Sequence, residues 1–233
     1  MPTPVQRAVI EPEAEGRDLL VSAQTGSGKT IAFGLAMAET LLERAAAFGP
    51  ARDPLALIIA PTRELAMQIF DEGKLLGKHT GLTMHAVYGG VDYIKQLDRL
   101  AEGVDILIGT PGRLIDYYKQ RVFTLKDTEL LIVDEADRMF DMGFIDDLRY
   151  LVRKMPEPGE RTSFLYSATL SQRVLELAYE HMHDVHRVTI EPEQVTAERV
   201  EQLVYQVGVE EKLPALLNLL LREKPVRSLV FVN

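Results

Sequence analysis

Asp18-Leu-Leu-Val-Ser-Ala23, running on through Gln24, Thr25, Gly26, Ser27 and Gly28 into Lys29 and Thr30, decides the fold class of this chain. A short apolar run that breaks into a glycine-rich turn and then a helical stretch is a strand–loop–helix unit. The span Ala23–Thr30 matches the phosphate-binding pattern GxxxxGK[ST], with Ala23 at the first glycine position. Gly26 and Gly28 let the backbone turn so that several N–H groups face one point, beside a helix start that favours anions. Lys29 can then reach the β- and γ-phosphates of a nucleotide, and the Thr30 hydroxyl can ligate Mg²⁺. An ordinary glycine-rich turn is the plain alternative. Gly28-Lys29-Thr30 in that strand–loop–helix context favours the phosphate loop.

Working outward, β-rich apolar runs recur at Ala56–Ala60, Met84–Tyr88, Asp105–Thr110, Leu130–Asp134, Phe164–Ser167 and Arg187–Ile190. Between them lie segments with apolar residues at i, i+3 and i+4, among them Gln68–Leu76 and Tyr93–Leu100. Runs apolar almost throughout, such as Ala56-Leu-Ile-Ile-Ala60, suit strands covered on both faces. The expectation is a doubly wound α/β domain through residue 192, its mainly parallel sheet carrying helices on both faces. After Lys29 the helix is apolar nearly all round through Met37 and then amphipathic, which predicts a start inside the molecule and an exit to solvent. Residues 193–200 are a polar connector. Residues 201–233 predict a strand (Leu203–Val209), a leucine-rich helix (Leu213–Leu221) and another strand (Ser228–Val232), too little chain to close a second α/β core. That tail is expected to be the truncated start of a second domain, with its leucines partly exposed.

The acids Asp134, Glu135 and Asp137 follow the run Leu130-Leu-Ile-Val133. They therefore sit at the carboxyl edge of a buried strand, which in doubly wound sheets faces the ligand crevice. An acidic cluster alone is usually a solvated turn. Beside a phosphate loop, Asp134 is placed to hold Mg²⁺ through water, and Glu135 to orient or deprotonate the attacking water. Catalysis would thus fall to Lys29, Asp134 and Glu135, with ATP and Mg²⁺ as cofactors.

Composition sets limits on this reading. The 233 residues are 46% hydrophobic, enough for a core. There is no cysteine, which removes disulfides and thiolate metal sites and fits a cytoplasmic protein. Met1-Pro-Thr-Pro-Val-Gln6 has neither the basic nor the apolar region of a secretory signal, and no apolar stretch is long enough to span a bilayer. The net charge of −9 argues against gripping nucleic acid by bulk charge, so any such contact must rest on a few placed groups.

Such groups exist. Thr110-Pro111-Gly112-Arg113 reads as an N-cap with proline at the first helical position, presenting free N–H groups to a phosphate with Arg113 alongside. Pro61-Thr62-Arg63 does the same at a second strand end, and Gly89-Gly90 allows close backbone approach at a third. Each is also readable as a plain helix cap or turn.

Taken in order, Ala23–Thr30, Pro61–Ala66, Gly89-Gly90, Thr110–Arg113, Asp134–Asp137 and Ser167-Ala-Thr169 resemble the motif set of DEAD-box ATP-dependent RNA helicases. The resemblance implies a RecA-like fold, RNA-stimulated ATP hydrolysis and local unwinding of short RNA duplexes. A non-catalytic alternative stays open, an ATP-gated RNA clamp or assembly platform. In that family alanine often replaces the first glycine of the phosphate loop. Gln6 would bond the adenine edge, and the aromatic residue the family places upstream is absent because the chain begins too late. The segments at Pro61–Arg63, Gly89-Gly90 and Thr110–Arg113 would line one RNA strand through its sugar–phosphate backbone, with little sequence preference. Ser167 and Thr169 would bond back toward Asp137 and couple ATP state to strand separation, while Thr169 or Ser171 could cap the next helix. The strand Phe164–Ser167 would lie between the phosphate-loop strand and the acidic strand.

The same resemblance places the arginine fingers in the second domain, so this chain alone is expected to hydrolyse ATP hardly at all. Asp105–Tyr117, Asp134–Phe144 and Glu191–Gln194 look closest to the bacterial RhlB-like subfamily, associated with RNA degradation in the degradosome. That implies a degradosome ribonuclease as partner, docking on the second domain. His181, His183 and His186 have no acidic or thiolate partner pattern and read as an ordinary helix end, not a metal site.

Overall fold

The computed structural model describes residues 1–24, 26–48, 51–190 and 203–231. These fall into two compact units, residues 1–192 and residues 193–233. The connector predicted at 193–200 lies outside the described residues.

In the first unit seven strands form one parallel sheet: β1 (Leu19–Ser22), β2 (Ala56–Ile59), β3 (Met84–Val87), β4 (Ile106–Gly109), β5 (Leu130–Val133), β6 (Thr162–Ser167) and β7 (His186–Thr189). Their order across the sheet is β3-β4-β2-β5-β6-β1-β7. The central strands are buried along their length. Side chains alternate between two cores because strand residues point to opposite faces. Leu19, Val21, Ile58, Ile132 and Tyr166 enter one core, and Leu20, Leu57, Ile59, Leu131 and Leu165 the other.

The first core is covered by α2 (Lys29–Phe48) and α3 (Arg63–Leu76), which contribute Phe33, Met37, Leu41, Ala66 and Ile69. The short α1 (Pro4–Ala8) adds Val5. The second core takes Leu100 from α4 (Tyr93–Ala101), Leu114 and Tyr117 from α5 (Pro111–Lys119) and Met139 from α6 (Ala136–Asp141). It also takes Leu148 and Leu151 from α7 (Ile145–Val152) and Leu177 from α8 (Gln172–His181). Helices on both faces of a parallel sheet make the doubly wound α/β fold.

Buried polar groups tie the strand ends. Asp18 accepts the N–H of Ser163 at 2.7 Å and of His183 at 2.8 Å, pinning the amino ends of β6 and β7 to β1. Asp105 does the same for Ala51 and Thr83. Of the three histidines, His181 ends α8, the His183 N–H is held by Asp18 and His186 opens β7. No helix among the described residues is long and apolar enough to cross a membrane.

Two local expectations change. The start of α2 is not buried all round: Ile31 and Leu35, one turn apart, are 37% and 42% exposed. The helix lies along the sheet with one face outward from its first turn. Among the described residues of the second unit only the helix forms, as α9 (Lys212–Glu223) after a single 3₁₀ turn. Residues 203–208 and 228–231 carry strand-like composition but no strand. A strand exists only when a neighbour takes up its backbone hydrogen bonds, and apolar composition cannot supply that. Leu213, Leu217 and Leu221 are exposed along α9, as i, i+4 spacing places them on one face.

Candidate functional site

All seven strands are parallel, so their carboxyl ends share one edge of the sheet, and the segments leaving that edge carry Ala23–Thr30, Pro61–Arg63, Gly89-Gly90, Thr110–Arg113, the acids after β5 and Ser167-Ala-Thr169. The phosphate loop leaves β1. Gly26 (φ +83°) and Gly28 (φ +90°) adopt backbone conformations that side chains resist, and this curls the loop. Thr25 lies outside the described residues. Lys29 and Thr30 open α2 and are nearly buried, at 6% and 7% exposed.

Asp134 follows β5 and is 2% exposed. The Lys29 Nζ lies 3.6 Å from Asp134 Oδ1 and has no hydrogen-bond acceptor among the described residues. Burial raises the Asp134 carboxyl above its ordinary range, and the Lys29 charge and the Glu135 N–H only partly offset this. A buried ammonium without an acceptor, facing a carboxylate that solvent hardly reaches, leaves both groups short of partners. A bound phosphate oxygen would satisfy the ammonium and a cation would satisfy the carboxylate, so the residues present fit a Mg²⁺–nucleotide.

Glu135 follows in the left-handed conformation (φ 51°, ψ 52°), its N–H donating to Asp134 Oδ1 at 2.9 Å. Its own carboxylate accepts from Arg138 Nη1 at 3.0 Å. The strained turn aims Asp134 and Glu135 differently although they are adjacent in sequence. Asp137 meets the end of β6. Its N–H donates to Ser167 Oγ (3.3 Å), and its carboxylate accepts from the Thr169 N–H and hydroxyl (3.0 and 3.1 Å). The Ser167 hydroxyl in turn donates to the Thr169 carbonyl. β6 does lie between β1 and β5, which makes this link possible. Ser171, not Thr169, caps α8, since Thr169 is held by Asp137.

Gln6 packs on the phosphate loop from α1. Its Nε2 donates to the Gly28 carbonyl at 3.2 Å and its Oε1 accepts the Thr3 N–H. A Cβ added at Gly28 would stand 2.5 Å from that Nε2. Gly28→Ala is therefore expected to strain the loop, displace Gln6 and weaken ATP binding about tenfold or more, by the 1–3 kcal/mol that misplaced strained backbone costs. Calorimetric titration with an ATP analogue checks this; unchanged affinity would mean that the loop geometry does not bind phosphate.

The remaining predicted residues line the same edge. Thr62 caps α3, accepting the Leu65 N–H at 3.3 Å, and Arg63 stands over the Tyr88 ring. Gly89 and Gly90 follow β3, and Gly90 (φ +79°) leaves room for the Arg63 guanidinium. Thr110 and Pro111 start α5, but the Thr110 side chain makes no capping bond, which leaves its hydroxyl free. Gly112 has open space before it, and Arg113 lies against Tyr93 and Tyr117.

Two groups escaped the sequence reading. Gln96 is buried and clamps Tyr88 in both directions, accepting its N–H and donating to its carbonyl. Arg138 pins Glu135. A glutamine on the core side of α4 and a basic residue three after an acid were the available signals. An apolar cavity of about 360 Å³ between α2 and α3 is a different feature: it touches the phosphate loop at Thr30 and carries no acid.

A family model described as DEAD/DEAH box helicase matches residues 3–177. The chain is 50% identical to the ATP-dependent RNA helicase RhlB of Pseudoalteromonas atlantica over 99% of its own length and 54% of that protein. It is 52% identical to the protein of the same name from Xanthomonas axonopodis pv. citri, covering 41% of it. Among solved structures, a DEAD box protein from Methanococcus jannaschii matches 94% of this chain and 57% of its own, with a TM-score of 0.71 at 31% identity. A hypothetical ATP-dependent RNA helicase from Sulfolobus tokodaii matches 82% of this chain and 53% of its own at the same score. The chain spans about half the length of the curated relatives it matches.

Proposed function

This chain belongs to the DEAD/DEAH box helicase family, and from that premise we propose that it is the ATP-binding half of an ATP-dependent RNA helicase. The observation that carries the reading is the buried, acceptor-free Lys29 ammonium facing the buried Asp134 carboxylate. Lys29 and the loop N–H groups hold the β- and γ-phosphates, and Gln6 carries the adenine edge while tied to the loop. Thr30 directly and Asp134 through water would hold Mg²⁺, which when bound neutralises phosphate charge. Glu135, set by Arg138, orients the attacking water and takes its proton. Asp137, Ser167 and Thr169 tie the acidic turn to the end of β6, so a change at the phosphates reaches the RNA track mechanically. Pro61–Arg63, Gly89-Gly90 and Thr110–Arg113 hold one RNA strand by its backbone, without reading bases.

The test is ATP turnover with and without RNA, in the 233-residue chain and in a chain of the relatives' length, together with separation of a short RNA duplex. RNA-stimulated turnover and strand separation are expected in the longer chain. Turnover indifferent to RNA at both lengths sinks the helicase reading, and RNA retention without any strand separation favours a clamp.

A further inference from the structure

Among the described residues, Arg17, Arg44, Arg138, Arg149 and Arg222 form ion pairs with carboxylates. Arg63 and Arg113, which open α3 and α5 at the strand-end edge, are among those that do not, and among the described residues they are the arginines that lie over aromatic rings. The Arg63 guanidinium stands 5.4 Å from the Tyr88 ring centre. That of Arg113 stands 5.1 Å from the Tyr93 ring and 5.4 Å from the Tyr117 ring, and these rings are 4.8 Å apart.

The Arg113 arrangement is built in depth. Tyr117 is fully buried, and its phenol donates its one proton to the Tyr93 carbonyl at 3.0 Å. The phenol oxygen can then only accept, and it accepts from Arg113 Nη1 at 3.3 Å. Burial also raises the Tyr117 phenol above its ordinary value, so it stays neutral. Arg113 spends one of its five donors this way, and the others make no hydrogen bond among the described residues. The Arg63 side is built likewise: Gln96 clamps the Tyr88 backbone, and a side chain at Gly90 would crowd Arg63.

We propose that Tyr88, Tyr93 and Tyr117 are positioning residues that orient Arg63 and Arg113 toward an RNA backbone without neutralising them. This rests on the RNA track described above. A carboxylate would orient an arginine equally well but would cancel its charge and compete with the phosphate. A ring face attracts the cation and leaves its charge in place. In a chain of net charge −9 that difference decides whether two arginines can act as a phosphate grip.

The test is fluorescence anisotropy with a single-stranded oligouridine in the presence of an ATP analogue, across a double-mutant cycle. Arg113→Ala and Tyr93→Leu are each expected to weaken RNA binding about tenfold, and the double variant to be no weaker than Arg113→Ala alone. Tyr93→Phe keeps the ring and removes a buried hydroxyl that bonds nothing, so it should restore binding to within about twofold. Tyr117→Phe, which keeps its ring but loses the acceptor, should cost about threefold even if Tyr93→Leu folds poorly. ATP-analogue affinity measured without RNA, a readout of the fold, should not change in the tyrosine variants. Wild-type RNA affinity in Tyr93→Leu, or losses that add to those of Arg113→Ala, overturn the positioning role. An Arg113→Ala variant that binds RNA normally overturns the RNA track itself.

Discussion

Replacing Lys29 with alanine should lower ATP-analogue affinity about 10- to 100-fold, the worth of a charge-assisted bond to phosphate. It should also cost the folded chain about 3–5 kcal/mol, because it strands a buried carboxylate. The Lys29 ammonium is 3.6 Å from Asp134 Oδ1, and neither side chain is more than 6% exposed, so solvent screens the pair little. The Asp134 carboxyl is already raised by burial ahead of the Lys29 contribution, and removing that charge raises it further. A carboxyl whose folded pKa lies above its unfolded value contributes stability that is fully present below the unfolded pKa and lost as pH rises through the folded one. Lys29→Ala should therefore be hurt most at alkaline pH and least in acid. Lys29→Ala with Asp134→Asn should recover the stability and leave nucleotide binding lost, since the stranded charge is gone but no cation returns. Denaturant melts at two pH values and calorimetric titration separate these effects. A single variant as stable as wild type at alkaline pH would mean that the pair is not buried as described.

Glu135→Gln should retain ATP-analogue binding while ATP turnover, measured in a chain of the relatives' length, falls about 10²- to 10⁴-fold. The amide keeps the shape and the bond from Arg138 but cannot take a proton. Glu135→Gly should be equally inactive yet more stable, by about 1 kcal/mol. The left-handed conformation costs about 1–2 kcal/mol for a residue with a side chain, and glycine is spared it. The ion pair lost with Arg138, a side chain 53% exposed, offsets little of that gain. A variant that is better folded and catalytically dead is the signature of strain kept for chemistry. If Glu135→Gln turned ATP over at the normal rate, Glu135 would not be the base.

Most residues of the candidate site were legible one by one because the motifs that carry them are local. The phosphate loop is eight consecutive residues, and a glycine-lysine-threonine entering a helix has one good use. The α9 leucines were equally legible, since their spacing already puts them on one helical face. The Ile31–Leu35 face of α2 was not, because an apolar stretch does not say which side of it the sheet will cover. Among the described residues of the strands foreseen at 203–209 and 228–232 no strand forms, for a related reason: apolar composition shows what a segment can bury, and pairing depends on a neighbour.

The glycine-rich strand–loop–helix unit at Ala23–Thr30, the acids after a buried strand and the doubly wound class were determined by the sequence alone. They follow from periods of 2 and 3.6 and from residues adjacent in the chain. The tertiary structure decided what distant residues do to one another. The order β5-β6-β1 brings Ser167 and Thr169 onto Asp137 across some thirty positions of chain. The packing of α4 against α5 sets Tyr93 and Tyr117 beneath Arg113. Around the left-handed turn at Glu135, two adjacent acids meet different partners, Lys29 for Asp134 and Arg138 for Glu135. No local pattern encodes these contacts, because each is fixed by where the sheet places the ends of strands far apart in sequence.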